Sequence, residues 1–212
     1  IIGNTPENDS IDMIAVSAQD FENIRITVGQ GFFQLEFPRP EFLAPDIVVS
    51  AAGRLVVFLD AAITELKIRG DSTSSSPSLY WEWWPKPVFT PGGVNWLSEI
   101  SRLVGARNCF EDEETANIQT DWDAVRQREP DFILLAWVGI MTSKVKPELV
   151  LKRPDWQSMK AIDHIHVMEE ALFCRPSPRL IEGAIKLGKL VHPQAFEDFP
   201  LPSFIKEKQS NV

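Results

Sequence analysis

Apolar residues recur at helical spacing from Arg54 to Ile68, with Leu55, Phe58, Leu59, Ala62, Ile63 and Leu66 on one face. That period predicts an amphipathic helix. Across residues 1–73 as a whole, apolar runs at Ile24 to Val28, Ile47 to Val49 and Leu55 to Leu59 have little punctuation between them. Phe37-Pro38-Arg39-Pro40 reads as an extended turn. After the helix, Gly70-Asp71-Ser72-Thr73-Ser74-Ser75-Ser76-Pro77 has the composition of a linker. The pattern divides the chain into an N-terminal part (1–53), a connecting helix and linker (54–77), a regular region (78–193) and a tail (194–212).

Inside 78–193 the two periods alternate. Leu79 to Trp84 is a short β-rich run closed by Pro85. Val94, Leu97, Ile100, Leu103 and Val104 set out a helix that Gly105 ends as a C-terminal cap. Thr120 or Asp121 caps a helix from Trp122 to Arg128. Phe132 to Val138 is a continuous apolar run, as expected of a strand buried on both faces. Pro147 to Leu151 and Trp156 to Ala161 are short helical pieces separated by Arg153-Pro154, and Ile165 to Met168 is a third strand. Ser177-Pro178 opens a last helix that runs to Val191 and stops at His192-Pro193. The order β-α-α-β-α-β-α predicts an α/β fold with a parallel sheet and right-handed crossovers. The polar, proline-broken tail is expected to be poorly ordered or draped on the surface.

The 212 residues are 44% hydrophobic and 24% charged, enough for a real core. A net charge of -9 argues against nucleic acid as a partner, because the densest basic run, Lys144 to Arg153, is diluted by Glu148 and apolar residues. Cys109 and Cys174 are too few for a disulfide framework and too far apart for a metal motif, and read as buried thiols. No apolar stretch reaches the ~18 residues needed to span a membrane. The opening Ile1-Ile2-Gly3-Asn4-Thr5-Pro6 shows no signal-peptide pattern, which leaves the compartment open. Seven tryptophans against one tyrosine point either to a wide core or to a flat apolar recognition surface.

In an open parallel sheet, ligands gather beyond the carboxyl ends of the strands. Three loops qualify: Trp84 to Gly93, Trp137 to Met141, and Glu169 to Pro176. Strand alternation sets Leu79, Trp81 and Trp83 on one face and Tyr80, Glu82 and Trp84 on the other. Trp81 and Trp83 read as core. Trp84 is equally suited to core or ligand, and the stiff first loop presents Phe89 beside it. Trp137 is either a structural residue packed on a neighbouring loop or a ligand platform. Phe173 and Arg175 share the third loop, where the guanidinium can fork onto a ligand or pair with Glu169 or Glu170. His164-Ile165-His166 has no third partner for zinc, and Glu111-Asp112-Glu113-Glu114 reads as a solvated loop. No G-x-S-x-G, P-loop or dinucleotide fingerprint is present, so an enzyme is not expected.

The series Ser78-Leu79-Tyr80-Trp81-Glu82-Trp83-Trp84-Pro85-Lys86-Pro87, Gly93-Val94-Asn95-Trp96-Leu97-Ser98-Glu99-Ile100 through Gly105-Ala106-Arg107-Asn108-Cys109-Phe110, Arg128-Glu129-Pro130-Asp131-Phe132-Ile133-Leu134-Leu135, Arg153-Pro154-Asp155-Trp156 and Arg175-Pro176-Ser177-Pro178-Arg179-Leu180 resembles the C-terminal lobe of cobalamin-binding periplasmic proteins. The resemblance implies a Rossmann-like lobe of the class III periplasmic-binding-protein type. Residues 1–53 then form an abbreviated N-terminal α/β lobe, with a long helix between the lobes. It further implies a corrinoid as the transported ligand, no cofactor or metal of its own, and an ABC permease as partner. The site would be extracytoplasmic and would reach the membrane only through the permease or a lipid anchor. Phe89, Trp137 and Arg175 would face the ligand, Trp84 and Phe173 less directly, and Asp155 lies near the place expected for a permease contact. A haem or ferric-siderophore binder of the same fold is the related reading. A non-transport module using the aromatic surface for oligomerisation is the reading from another class.

Overall fold

In the computed structural model of this chain, residues 59–199 are described, together with the backbone of strands β1 (Arg25–Gly29) and β2 (Phe32–Glu36), an antiparallel hairpin. The hairpin falls in the part read as an N-terminal lobe. The rest of 1–53, the predicted helical positions 54–58 and residues 200–212 of the tail lie outside the described residues.

Four strands form the parallel sheet: β3 (Ser78–Glu82), β6 (Arg107–Asn108), β8 (Phe132–Leu135) and β9 (Ile165–Val167), in the order β6-β3-β8-β9. The three expected strands are present and neighbour one another. Edge strand β6 was not foreseen, since two residues carry no alternation. Its anchor is Asn108, whose amide donates to the Pro91 carbonyl and the Ser98 hydroxyl, both at 2.8 Å. The fold is α/β as expected.

Because successive side chains of β3 leave on opposite faces, the sheet carries two cores. On one face, Leu79 and Trp81 of β3 and Leu134 of β8 pack on four helices. These are α1 (59–71), α2 (Trp96–Leu103), α5 (Glu170–Phe173) and α6 (Leu180–Val191). On the other face, Tyr80, Ile133 and Leu135 meet Val125 of α3 (Trp122–Gln127), Val150 of α4 (Glu148–Leu151) and the buried Trp156. The fully buried Trp81 donates its indole N–H to the Ser101 hydroxyl at 3.1 Å, which offsets the cost of burying that group. Asn95 caps α2 through Leu97 N, and Asp121 caps α3 through Ala124 N at 2.8 Å.

Three expectations need correction. The segment Gly70 to Pro77 is not simply a linker, because α1 continues through Gly70. A Cβ on Gly70 would lie 2.4 Å from the Leu103 carbonyl, and one on Gly105, at φ +78°, would lie 2.6 Å from the Gly70 carbonyl. These glycines let two helix ends touch backbone to backbone, and Leu59, Ala62 and Leu66 make α1 part of the lobe's core. The loop Trp84 to Gly93 folds as β4 (Trp84–Pro85) and β5 (Val88–Pro91), which join β7 (Asn117–Thr120) in a small antiparallel sheet. Pro85 sits on the edge strand β4, Pro87 in the turn and Pro91 at the end of β5, places that tolerate a missing donor.

The tail, finally, is packed rather than loose over residues 194–199. His192-Pro193 ends α6 but starts α7 (Pro193–Phe196), and both Phe196 and Phe199 are buried in the first core. Phe196 lies against Gly188, where a Cβ would come within 2.4 Å of its ring.

Asp131 ties β8 to β3 at their amino ends. Its backbone N–H donates to the Ser78 carbonyl, its carboxylate accepts from Ser78 N, and Lys160 pairs with it, each at 2.7 Å. Burial pulls the carboxyl upward, but the Lys160 ammonium and the Ser78 N–H outweigh it and hold the group below its ordinary value.

Phe196→Ala should lower the unfolding free energy by about 3–5 kcal/mol in urea denaturation, as expected for emptying a core site. A change under about 0.5 kcal/mol, typical of surface positions, would mean that the tail is not packed. A carboxyl held low stabilises the fold above the unfolded value of about pH 4 and ceases to as pH falls through its lowered value. Asp131→Asn should therefore melt lower than the parent at neutral pH, and the gap should close below about pH 4.

Candidate functional site

Glu82, the last residue of β3, carries its carboxylate into the second core, where it is fully buried. Arg153, 2% exposed, meets it with both terminal nitrogens, each at 2.7 Å. The remaining acceptor positions take the Tyr80 hydroxyl at 2.7 Å and the Trp137 indole N–H at 3.0 Å. The guanidinium also lies over the rings of Trp156 and Trp122, at 4.5 and 5.0 Å. Such a bidentate pair with all acceptors filled is the geometry in which a buried charge is tolerated. Burial, together with the neighbouring Glu82 charge, pushes the Tyr80 hydroxyl well above its ordinary value, so it remains a donor. The network joins β3, the tip of β8 and the segment that ends at Arg153, all at the carboxyl edge of the sheet.

The structure distributes the five expected site residues unevenly. Trp84, 39% exposed, stands beyond the carboxyl end of β3 with its indole N–H on the Lys86 carbonyl at 3.0 Å. Phe89 is its register partner across β4 and β5 and is half-buried. Trp137 is 7% exposed and its N–H is spent on Glu82, so it supports the strand tip from below. The next residue, Val138, is 48% exposed and bonds its N–H to the Trp83 carbonyl at 3.2 Å. Phe173 is placed in the first core, its ring 5.4 Å from that of Trp81. The reason is that α5 forms where a loop was expected and turns Phe173 inward. Arg175 is largely exposed, 3.7 Å from Glu170, a loose rim pair. The apolar wall that reaches solvent is thus Trp84 and Val138, with Phe89 behind.

A groove of about 390 Å³ opens beside the turn of the β4–β5 hairpin, lined by Lys86, Pro87, Asp121, Trp122, Asp123 and Pro154 among others. The register of Val88 with Thr120 brings the start of α3 to this turn. Lys86 sits 5.6 Å above the Trp122 ring, whose indole N–H is buried without a partner. Sequence reasoning missed this half of the site, because Asp121 and Trp122 carry helix-start signals and nothing that marks a ligand surface. The other rim, at Glu169, carries a run of alternating charge: Lys186 bridges Glu169 at 2.7 Å and the nearly buried Glu182 at 3.0 Å.

Neither thiol suits nucleophilic work. Burial pushes both Cys109 and Cys174 up to about 12. His164 and His166 both lie near Phe132 with their rings tilted to it, and burial, with the neighbouring His164, lowers His166. Among the described residues, no three metal-ligating side chains gather. Of the acidic run, Asp112 and Glu113 bind Arg128, which lies 4.2 Å over the Phe110 ring.

Residues 49–169 match the family described as periplasmic binding protein. The chain is 28% identical over 135 residues to the uncharacterized ABC transporter substrate-binding lipoprotein YvrC of Bacillus subtilis, an alignment covering 62% of this chain and 41% of that protein. Its fold is similar to that of IsdE of S. aureus, solved in complex with heme (TM-score 0.60, 16% identity, 68% of this chain and 58% of that one). It is also similar to the periplasmic vitamin B12 binding protein BtuF of Vibrio cholerae (TM-score 0.53, 18% identity, 69% and 54%). The chain therefore spans less than half of that curated relative's length and little more than half of these two structures.

Arg153→Met should destabilise the protein by about 3–5 kcal/mol in thermal or denaturant unfolding, since it strands the Glu82 charge. Adding Glu82→Leu to that variant should recover a large part of the loss. A single variant as stable as the parent would show that the pair does not hold the edge together.

Proposed function

The chain belongs to the periplasmic binding protein family, and from that premise we propose that its α/β lobe forms one wall of the ligand cleft of an ABC-importer substrate-binding protein. The observation that carries this reading is the surface at the carboxyl edge. Trp84 and Val138 stand in solvent there, 39% and 48% exposed, and the Glu82–Arg153 network beneath them holds the strand tips that carry them. Pre-set apolar faces lower the ordering cost of binding a broad, rigid ligand.

The ligand class we propose is a chelate with wide apolar faces and polar edges, and within that class a corrinoid. The rim supports it by its balance. Lys86 and Arg175 are set against Asp121, Asp123, Glu169 and Glu170, so no excess of cations favours an anionic siderophore. Haem shares the apolar faces and is the nearest competitor. Binding would come from burial of the ring faces on Trp84 and Phe89, with Arg175 exchanging its loose Glu170 pair for a polar edge of the ligand. The partner that receives the ligand would be a permease, at the outer face of a membrane, and the role is carriage rather than catalysis.

Cyanocobalamin, haemin and a ferric hydroxamate, titrated separately by tryptophan fluorescence and calorimetry, test the assignment. We expect saturable one-to-one binding of cyanocobalamin, weakened about tenfold or more by Trp84→Ala and less by Arg175→Ala, on the scale of one aromatic face leaving a contact. Haemin binding alone would move the ligand to haem. Failure of all three to bind the folded chain, or indifference to Trp84→Ala, would overturn the cleft assignment.

A further inference from the structure

The segment that leads from the tip of β8 to Arg153 carries an exposed surface of its own, apart from Trp84, Phe89 and Arg175, to which the ligand contacts are assigned above. Arg153 itself is interior, but Lys144, Lys146 and Lys152 are exposed and pair with no carboxylate among the described residues. Lys86 and Lys189 are likewise unpaired, whereas Lys67, Lys160 and Lys186 are not; what sets the three apart is that they lie within nine residues of one another. Three lysines against Glu148 leave residues 141–152 at +2, in a chain of net charge -9. Interleaved with them, Met141, Leu149 and Leu151 are 64%, 47% and 44% exposed. The segment is nonetheless anchored. Val145 and Val150 turn into the second core, and the 3₁₀ turn Thr142–Lys144 and helix α4 fix its two halves. Lysine and long aliphatic side chains thus point outward together from a rigid support.

We propose that this surface rests on anionic phospholipid headgroups, with Met141, Leu149 and Leu151 entering the boundary of the acyl region. The chemistry favours a bilayer over an acidic protein. The outward groups are flexible ammonium point charges and unbranched or γ-branched aliphatics, which suit a fluid, laterally adaptable plane. A specific protein contact would call for guanidinium forks and rigid aromatic anchors, and the segment exposes none. The placement has a consequence. The segment starts at the β8 tip and ends at Arg153 beneath Glu82, so a lipid contact here turns the carboxyl edge of the sheet toward the membrane.

Flotation with vesicles of phosphatidylglycerol and phosphatidylcholine, against vesicles of phosphatidylcholine alone, tests this without any ligand. We expect binding to the anionic vesicles at low salt, little to the neutral ones, and release in about 0.5 M salt, where the screening length falls to a few ångströms. Replacing Lys144, Lys146 and Lys152 together by Gln should weaken it by about fivefold per lysine, of order 100-fold in all. Leu149→Ser with Leu151→Ser should weaken it while leaving the melting temperature within a few degrees of the parent. Equal binding to neutral vesicles, or full binding by the triple lysine variant, would overturn the proposal. So would tighter binding to soluble polyphosphate than to vesicles with no effect of the leucine variant, which would point to a polyanion. Cyanocobalamin and haemin titrations of the same variants separate this outcome from that of the cleft assignment, since none of these residues belongs to it.

Discussion

A carboxylate and a guanidinium taken wholly out of water set the terms for this lobe. Glu82 ends the central strand, and Arg153 lies 71 residues further on in a stretch with little regular structure of its own. Desolvating both charges is unfavourable by several kcal/mol per ion, and the loss is recovered only if every lone pair finds a donor. That condition leaves few geometries. Tyr80 must turn inward, Trp137 must aim its N–H down at the carboxylate, and the Trp156 and Trp122 rings must flank the guanidinium. A pair of apolar residues could fill the same space with no such demands. The pair's distinctive contribution is directional: it pins the tips of β3 and β8 and the returning segment to one point.

The first core works differently. It is nearly all apolar, and its specificity comes from shape: Gly70 against Gly105, Gly188 against Phe196, Trp81 against Phe173. Helix α1 and residues 194–199 both close on it, so chain segments far apart in sequence seal the face away from the site. One side of the sheet is thus held by packing and the other by a polar network centred under the carboxyl edge. The exposed Trp84 and Val138 sit above the second kind of support.

How much of this could be read from sequence follows the same division. Strands β3, β8 and β9, the caps at Asp121 and Gly105 and the burial of Trp81 were legible, because each rests on local period or cap chemistry. The face alternation of β3 was legible too, and it placed Glu82 with Tyr80, yet nothing local says that a strand glutamate will be fully buried. That depends on Arg153, which local pattern reduces to a break between two short helical pieces. Phe173 was misplaced for a related reason: four residues of helix α5 carry too little period to be seen, and they decide which way the ring turns. The groove at Trp122 was invisible because it exists only when the register of β5 and β7 carries the start of α3 to the hairpin turn.

Charge follows from the same architecture. The lobe neutralises its cations where it can. Arg128 is met by Asp112 and Glu113, Lys160 by Asp131, and Lys186 by Glu169 and Glu182. Against that background Lys144, Lys146 and Lys152 fall unpaired within one short segment, the one whose end is clamped by Glu82, whereas the unpaired Lys86 and Lys189 stand singly. A rigid anchor behind a flexible basic and aliphatic surface is mechanically suited to hold the molecule in one orientation against a plane. If the strand tips deliver a ligand to a membrane partner, orientation and ligand wall then share a single fixed point, the carboxylate at the end of β3.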